Sequence, residues 1–527
     1  MLYPLSYGRS PAAMIPASGD QAGRQTTCSR VPPRIRTADA PPPPRRAPPA
    51  VRRSPADGRP DPRSLGLIDP NREERPLASW TDHVVWWHVY PLGFTGAPQT
   101  RDDLAGPDGG SPAHPDAPPA HRIDRLRAWL PYLVDLGANG LLLGPVFDSE
   151  THGYDTRDHL TLDPRLGDDA DLDALLADAS ARGVRVLLDG VFNHVGRSHP
   201  RFAQALADGP GSEAASWFRW DGAGEPVGFE GHGALVTLDH DSEAVRAHVA
   251  EVMIHWLDRG ISGWRLDAAY AVPASFWAAV LPRVRERHPD AWFVGEMIHG
   301  DYAGYAAEST IDSITAYELW KSIRNSIAEG NLFELDWTLT RHAELLPSFT
   351  PQTFIGNHDV TRIASAVDPR HLGHAIALLL LLPGIPSIYA GDERGLTGVK
   401  EDRVGGDDAV RPEYPASPDD LRDDEHAARI RSLHQELVGL RRRHAWLVDA
   451  RMETSGLTNT ALTITLRPSG TGAAGGVAPG SPGALRLVLN IGDEPVEVAG
   501  SPDGREAGDV AGDGRVPGHS WAVLASA

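Results

Sequence analysis

The stretch Gly263-Trp264-Arg265-Leu266-Asp267 is a short apolar run that carries an arginine and, two residues later, an aspartate. In a β-strand successive side chains point to opposite faces, so Arg265 and Asp267 would share one face. Trp264 and Leu266 would then pack in the core on the other face. A cation beside a carboxylate lowers its pKa, so we expect Arg265 to keep Asp267 ionised. Taken alone, the stretch also fits a surface ion pair at a strand end.

Composition narrows the classes of partner. The 527 residues carry a net charge of -21, which argues against nucleic acid or an anionic membrane and favours a neutral substrate. Cys28 is the one cysteine, so no intrachain disulfide can form. The longest apolar run, 375–383, is about half of a membrane span. We therefore expect a soluble, cytoplasmic protein without a membrane partner.

Composition and hydrophobic pattern divide the chain into three parts. Residues 1–75 are rich in Pro and Arg with little periodic apolar content, and we expect them to be disordered. Residues 76–444 alternate apolar runs with amphipathic stretches, interrupted by an irregular Gly-rich insertion at 194–238. Residues 445–527 hold short alternating runs that predict an antiparallel β domain, a small β-sandwich.

Eight continuous apolar runs predict buried parallel strands that alternate with helices. The runs are 84–90, 140–147, 184–192, 263–268, 291–297, 313–317, 353–356 and 386–390. The count and the alternation predict an α/β fold, a (β/α)₈ TIM barrel with the short insertion after the third strand. A doubly wound sheet is the second candidate.

Polar side chains cluster where these strands end. Asp189 and Asn193 close one strand, and Arg265 with Asp267, Glu296, and His358 with Asp359 close three others. In a barrel the carboxyl ends of all strands meet on one face, so these residues should converge. Several carboxylates on that face suit cleavage of a glycosidic bond, in which two carboxyls flank the bond.

Four segments follow one another in chain order. They are Asp-Gly-Val-Phe-Asn-His at 189–194, Gly-Trp-Arg-Leu-Asp-Ala-Ala at 263–269, Phe-Val-Gly-Glu at 293–296 and Phe-Ile-Gly-Asn-His-Asp at 354–359. Their sequences and order resemble the signature regions of glycoside hydrolase family 13, the α-amylase family. Supporting blocks at 89–91, 152–158 and 384–393 resemble it too.

The resemblance implies roles for individual residues. Asp267 would be the nucleophile and Glu296 the general acid/base, protonated because it follows an apolar run. Asp359 would bind the sugar's 2- and 3-hydroxyls. The other implied substrate-binding residues are Tyr154, which would stack on the sugar, His194, Arg265, His358, Asp407 and Arg411. For Asp407 and Arg411 a surface i,i+4 ion pair fits as well, and Trp217, Trp220 and Phe229 are either sugar platforms or the insertion's own core.

Metal and cofactor are not expected. Asn193 alone cannot make a calcium site, which needs six or more oxygens, so calcium stays a weakly supported option. No strand carries a His-x-His pair, which disfavours a metal-dependent barrel hydrolase. Tyr270 and Ala271 stand where family members often carry Lys-His.

We therefore predict a retaining hydrolase of α-1,4-glucosidic bonds in maltooligosaccharides, cyclomaltodextrins or related α-glucans. A transglycosylase with the same residues is the close alternative, and a non-catalytic glucan-binding protein is the third. A monomer is weakly favoured, because no N-terminal β module of the kind that some relatives use to dimerise is visible in the sequence.

Overall fold

The computed structural model describes residues 80–101, 121–403, 405–422, 424–470, 483–498 and 504–526. The predicted disordered segment 1–75 lies outside the described residues. Within the described ranges, no helix is long and apolar enough to cross a membrane.

The described residues include eight parallel strands that form one sheet. They are β1 (Trp86–Val89), β2 (Gly140–Leu143), β3 (Arg185–Gly190), β4 (Gly263–Leu266), β5 (Trp292–Gly295), β6 (Ser313–Ile314), β7 (Gln352–Phe354) and β8 (Ile385–Tyr389). Their order is β6-β5-β4-β3-β2-β1-β8-β7, and a parallel bridge between Thr315 and Gln352 joins the two ends. The predicted (β/α)₈ barrel is confirmed, and the sequential, closed order excludes the doubly wound sheet.

Helices follow the strands. In the described part of the chain they are α1 (Pro91–Phe94), α2 (Asp124–Asp135), α3 (Asp169–Ala181), α4 (Pro200–Asp208), α5 (Glu243–Asp258), α6 (Ala274–Arg287), α7 (Tyr302–Ser309), α8 (Tyr317–Glu329), α9 (Phe333–Leu345), α10 (Ile363–Ala366), α11 (Leu372–Leu381) and α12 (Glu425–Arg443). Local signals set their starts. Asp168, for example, caps α3 in a reciprocal capping box with Asp171.

Successive side chains of each strand point alternately into the barrel interior and outward, where they pack in an outer core. Trp86 and Trp292 point into the barrel, where their rings stack with centroids 5.8 Å apart. Trp264 and Leu266 face the outer core, as predicted, and both are fully buried. The opposite face of β4 therefore carries Arg265 into the barrel.

The insertion after β3 is more regular than predicted. Besides α4 it contains an antiparallel sheet of three strands, His194–Gly196, Gly228–Phe229 and His232–Thr237. Trp217 and Phe229 are buried, and the partly buried Trp220 stacks on Phe202. Trp217 belongs to the main core and Trp220 packs against it, whereas Phe229 packs with Leu235 and Ala268. This packing favours a structural role for the three rings, and their role as sugar platforms stays a prediction.

The described C-terminal residues form a five-stranded antiparallel sheet and a two-stranded one. Their strands are β9 (Arg451–Ser455), β10 (Ala461–Arg467), β11 (Ala484–Asn490), β12 (Val496–Glu497), β13 (Gly504–Gly508), β14 (Arg515–Val516) and β15 (Ser520–Ser526). Leu485, Leu487 and Leu489 join the main core, while Val488 packs with Val516 on the other side. The predicted antiparallel β domain is confirmed.

Candidate active site

Arg265 lies at the centre of the cluster at the strand ends. The sheet register pairs it directly with Asp189 on β3, and its Nη1 lies 2.6 Å from both carboxylate oxygens of that residue. The same Nη1 lies 3.3 Å from Asp267 Oδ1, and Nη2 lies 2.7 Å from Glu296 Oε1. All four side chains are buried. The surface ion pair is therefore excluded, since one guanidinium joins three buried carboxylates.

Asp267 is placed at the barrel rim by its backbone, whose N–H donates to the carbonyl of Gly190 over 3.1 Å. Burial and the neighbouring Glu296 raise the pKa of Asp267 well above its usual range, although Arg265 opposes them. Arg265 lowers the pKa of Asp267, as expected, but burial and Glu296 outweigh its effect. One cation faces three carboxylates, and its closest contact is with Asp189. Among the described residues, no group hydrogen-bonds to the buried Oδ2 atom of Asp267.

Glu296 is held by three donors. Besides the contact with Arg265, Tyr317 O–H donates to Oε1 over 2.9 Å and the Ala268 N–H donates to Oε2 over 3.1 Å. Ala268 has φ +46°, a left-handed conformation that costs energy for a residue with a Cβ. The carboxyl is thereby fixed beside Asp267.

Tyr317 and Asn357 belong to the site but are absent from the sequence prediction. Asn357 Nδ2 donates to the Tyr317 hydroxyl over 2.9 Å, and that hydroxyl in turn donates a hydrogen bond to Glu296. Asn357 adjoins His358 in the segment 354–359, so its motif could have suggested it. Tyr317 lies at the start of α8, and nothing in its surroundings in the sequence marks it.

Asp359 and His358 form the opposite wall of the cluster. His358 Nε2 lies 2.9 Å from Asp359 Oδ2, and the Tyr154 hydroxyl contacts the same nitrogen. The rings of Tyr154 and His358 are stacked at 5.5 Å. Burial opposes ionisation, yet His358 and Arg411 hold the pKa of Asp359 well below its usual range. Asp359 is therefore an anion that is ready to accept hydrogen bonds.

Arg411 connects Asp359 with Asp407. Its Nη2 lies 2.8 Å from Asp359 Oδ1 and 3.1 Å from Asp407 Oδ2, and its Nε donates to the carbonyl of His358 over 2.9 Å. Asp407 also lies 3.3 Å from the ammonium of Lys400. The pair is mostly buried, so it is not the surface ion pair that its spacing also allows.

His194 lies at the end of β3, next to Asn193. Its Nε2 lies 3.0 Å from the carbonyl oxygen of Tyr154, its Nδ1 lies 3.1 Å from the Asn193 amide, and Phe229 stacks on its ring at 4.7 Å. Burial lowers the pKa of His194 to about 3. Its ring is thus neutral and tied to protein groups, whereas Tyr154, Arg265, His358 and Arg411 all contact the carboxylates of the cluster.

The Asn193 amide contacts His194, and the one cluster of three metal-binding side chains among the described residues is His121, Asp168 and Asp171. Asp168 and Asp171 in that cluster are engaged in the capping box of α3.

The family model described as "Alpha amylase, catalytic domain" matches residues 126–454 of the chain. This range begins within α2, contains the barrel strands from β2 to β8 and every carboxylate of the cluster, and covers more than half of the sequence. The chain belongs to the α-amylase family, glycoside hydrolase family 13.

The chain shares 30% sequence identity or less with the individual relatives described next. Neopullulanase 2 of Thermoactinomyces vulgaris is 30% identical over 348 residues, 61% of this chain and 58% of the relative. A cyclomaltodextrinase of Geobacillus thermopakistaniensis is 28% identical over 383 residues, 69% of this chain and 64% of the relative. The chain thus spans less than two thirds of the length of either. The ligand-free cyclic α-maltosyl-(1→6)-maltose hydrolase of Arthrobacter globiformis has a TM-score of 0.69 and 26% identity, covering 85% of this chain and 100% of that one.

Proposed function

We propose that this chain is a retaining glycoside hydrolase that cleaves α-1,4-glucosidic bonds in maltooligosaccharides, cyclomaltodextrins or related α-glucans. One observation carries the proposal: Asp267 and Glu296 are buried on the same guanidinium, and none of the described residues hydrogen-bonds to Asp267 Oδ2. Two carboxyls that share a guanidinium suit a double displacement, in which the two groups lie roughly 5 to 5.5 Å apart. The names of the relatives support an α-glucan substrate.

In the first step Glu296 donates its proton to the glycosidic oxygen while Asp267 Oδ2 attacks the anomeric carbon. The bond from that carbon to the leaving sugar breaks, and an ester to Asp267 forms. In the second step the Glu296 carboxylate takes a proton from water, and the water oxygen displaces Asp267 from the anomeric carbon.

The other residues bind and orient the sugar. We assign Asp359 to the 2- and 3-hydroxyls, because an anion held by His358 and Arg411 accepts strong hydrogen bonds. Tyr154 is assigned to the face of the sugar at the cleavage point, and Asp407 with Arg411 to the next sugar on the non-reducing side. Arg265 balances the charge that moves between Asp267 and Glu296 during the reaction.

A transglycosylase is the second candidate, since a sugar hydroxyl can take the place of water with the same residues. Incubation with maltotriose, β-cyclodextrin, starch, sucrose and trehalose, with products resolved over time, tests the proposal. We expect cleavage of the first three and retained anomeric configuration in the earliest product. Inverted product, or no cleavage of any α-1,4-glucan, would exclude the proposed mechanism. At high maltotriose, an excess of longer oligosaccharides over glucose and maltose would identify the transferase instead.

A further inference from the structure

Three histidines pack together where the insertion meets the barrel. His159 belongs to the strand Thr156–Leu162, His199 stands at the start of α4 in the insertion, and His248 belongs to α5. The centroid of the His159 ring lies 6.2 Å from that of His199 and 5.7 Å from that of His248. These three residues are called the histidine cluster below. The cluster joins the insertion to two elements that lie outside it.

Each ring of the histidine cluster is placed so that a neutral imidazole fits and a protonated one does not. His159 Nε2 donates to the carbonyl of Val191 over 2.9 Å, and its buried Nδ1 has no hydrogen-bond partner among the described residues. His199 Nδ1 accepts from the N–H of Arg201 over 3.2 Å and thereby caps α4. The buried Nε2 of His248 also lacks a partner within the described ranges. A second proton would therefore abolish the cap of α4 or bury an N–H group without an acceptor.

Neighbouring charges do little to stabilise a proton on the cluster. Asp158 faces His159 and His248, but its carboxylate already accepts hydrogen bonds from the two residues that come next but one and next but two in the chain. Arg201 faces His199 and His248, and its positive charge opposes protonation of either ring. The histidines oppose one another's protonation in the same way.

Burial determines when the cluster takes up protons. Desolvation lowers the pKa of His199 to about 3, that of His248 to about 4, and that of His159 below its ordinary value of 6.5. Above pH 6.5 the rings are neutral whether they are packed or exposed to water, so the packed state loses nothing. As the pH falls below 6.5, exposed rings bind protons and packed rings do not. The packed state therefore loses stability until the pH reaches the lowered pKa values.

The same insertion borders the candidate active site. Trp217 of the insertion packs against His248 with ring centroids 5.0 Å apart. At the other end of the insertion Phe229 stacks on His194, and the Leu238 N–H donates to the carbonyl of Asn193 over 3.0 Å. Release of the insertion from α5 would therefore disturb the loop that follows β3 at the site.

We propose that the histidine cluster is a pH-sensitive switch, which holds the insertion against the barrel near neutral pH and releases it reversibly in acid before the rest of the chain unfolds. Release of the insertion lowers the activity of the site beside it. This effect on activity rests on the proposed function, whereas the release itself does not.

Hydrogen–deuterium exchange of the full-length chain between pH 7 and pH 5 tests the release, with rates corrected for the intrinsic effect of pH on exchange. For the amides of residues 197–220 we expect the opening constant to rise by about tenfold per pH unit for each histidine that is released, and hence by more than tenfold per unit below pH 6. The amides of β11 and β15 should change far less. An opening constant at 197–220 that is independent of pH, or one that rises equally in β11 and β15, would overturn the inference.

The double variant His199→Asn with His248→Phe removes two of the three titrating groups. Asparagine can still cap α4, and phenylalanine keeps a ring against Trp217. We expect the rise at 197–220 to fall to about tenfold per pH unit or less, and a larger share of the pH 7 activity on maltotriose to persist at pH 5. If the double variant does not fold, His248→Phe alone should lower the rise by about tenfold per pH unit.

His255→Gln is the matched control, because His255 is an exposed histidine of the same helix α5. This variant should keep the wild-type dependence on pH. The same dependence in His248→Phe or in the double variant would show that the cluster is not the switch. If the wild-type chain cleaves no α-glucan at any pH, the proposed function fails, and the exchange measurement still decides whether the insertion is released.

Discussion

Arg265 approaches Asp189 more closely than it approaches Asp267, with its Nη1 2.6 Å from both oxygens of Asp189 and 3.3 Å from Asp267 Oδ1. The register between the neighbouring strands β3 and β4 pairs Asp189 directly with Arg265, so their side chains lie next to each other. Asp189 thereby neutralises much of the positive charge of the Arg265 guanidinium. Asp267 keeps one oxygen that accepts no hydrogen bond from the part of the chain that the structure describes, as a nucleophile requires.

Removing Asp189 should therefore destabilise the fold strongly. Burial raises the pKa of Asp189 as well, but Asp189→Asn leaves a buried guanidinium without its closest anion. We expect this second effect to dominate and the free energy of unfolding to fall by about 3 kcal/mol. Denaturant unfolding measures this change. The control is Asp178→Asn, which breaks the partly exposed contact with Arg127 and should cost less than about 1 kcal/mol. Equal midpoints for the two variants would show that Asp189 does not support the site.

Removing the charge of Asp267 should do the opposite. Its pKa in the folded protein is raised, so ionising it costs folding free energy at every pH above its ordinary value of 3.8. We expect Asp267→Asn to be inactive yet more stable than the wild type by on the order of 1 kcal/mol at pH 7. The gain should disappear at about pH 3.8 and below, where the wild-type group is protonated in both states. A less stable variant at pH 7 would contradict this account.

Asp359 offers the reverse case. Its pKa in the folded protein is depressed, so its charge stabilises the fold above the ordinary value of 3.8, and that stability is lost as the pH falls through the folded pKa. We expect Asp359→Asn to lower the midpoint of thermal unfolding at pH 7, in contrast to Asp267→Asn. If both variants shift the midpoint in the same direction, the charges are not distributed as described.

Tyr317 should act on turnover through Glu296. Tyr317→Phe removes the hydroxyl that donates to Oε1 and accepts from Asn357, so the acid/base loses a fixed orientation. We expect kcat on maltotriose to fall by about tenfold with little change in KM. Tyr302→Phe is the control, because the buried Tyr302 hydroxyl has no hydrogen-bond partner within the described ranges. Equal kcat values for the two variants would remove Tyr317 from the site.

Arg411 should govern substrate binding. Its guanidinium contacts Asp359, Asp407 and the His358 carbonyl at the same time. The guanidinium also lies over the ring of Tyr90, with its Cζ 4.6 Å from the ring centroid. A lysine cannot reproduce this geometry, so we expect Arg411→Lys to raise KM for maltotriose by about tenfold. Arg403→Lys, which alters an exposed arginine in the same part of the chain, should leave KM unchanged. An unchanged KM in Arg411→Lys as well would refute the assignment.

The barrel was predictable from the sequence because each strand is a continuous apolar run and each polar signal falls where a run ends. The placement of the Arg265 and Asp267 side chains on the same face of β4 followed from the alternation of side chains along a strand alone. The preference of Arg265 for Asp189 did not, since it depends on the register between two strands that lie 76 residues apart in the chain. No local pattern records that register.

Other features depend on long-range packing in the same way. The contact of Tyr317 with Glu296 requires α8 to start directly above β6, and the order within the insertion requires Phe229 to meet His194. His194 is predicted from its motif to bind sugar, and its contacts with Asn193 and Tyr154 are a further feature that no local pattern records. The motifs predict which residues belong to the candidate site, whereas the contacts among them depend on the tertiary structure.

The central claim is that Asp267 forms a covalent bond with the sugar, and mass spectrometry of a trapped intermediate tests it most directly. In Glu296→Gln the departure of fluoride from α-maltosyl fluoride needs no acid, whereas attack by water lacks its base, so the intermediate should accumulate. After brief incubation at low pH and digestion, we predict one maltosyl group on the peptide that contains Asp267. A maltosyl group on another residue, or none in a variant that still releases fluoride at wild-type rates, would contradict the account.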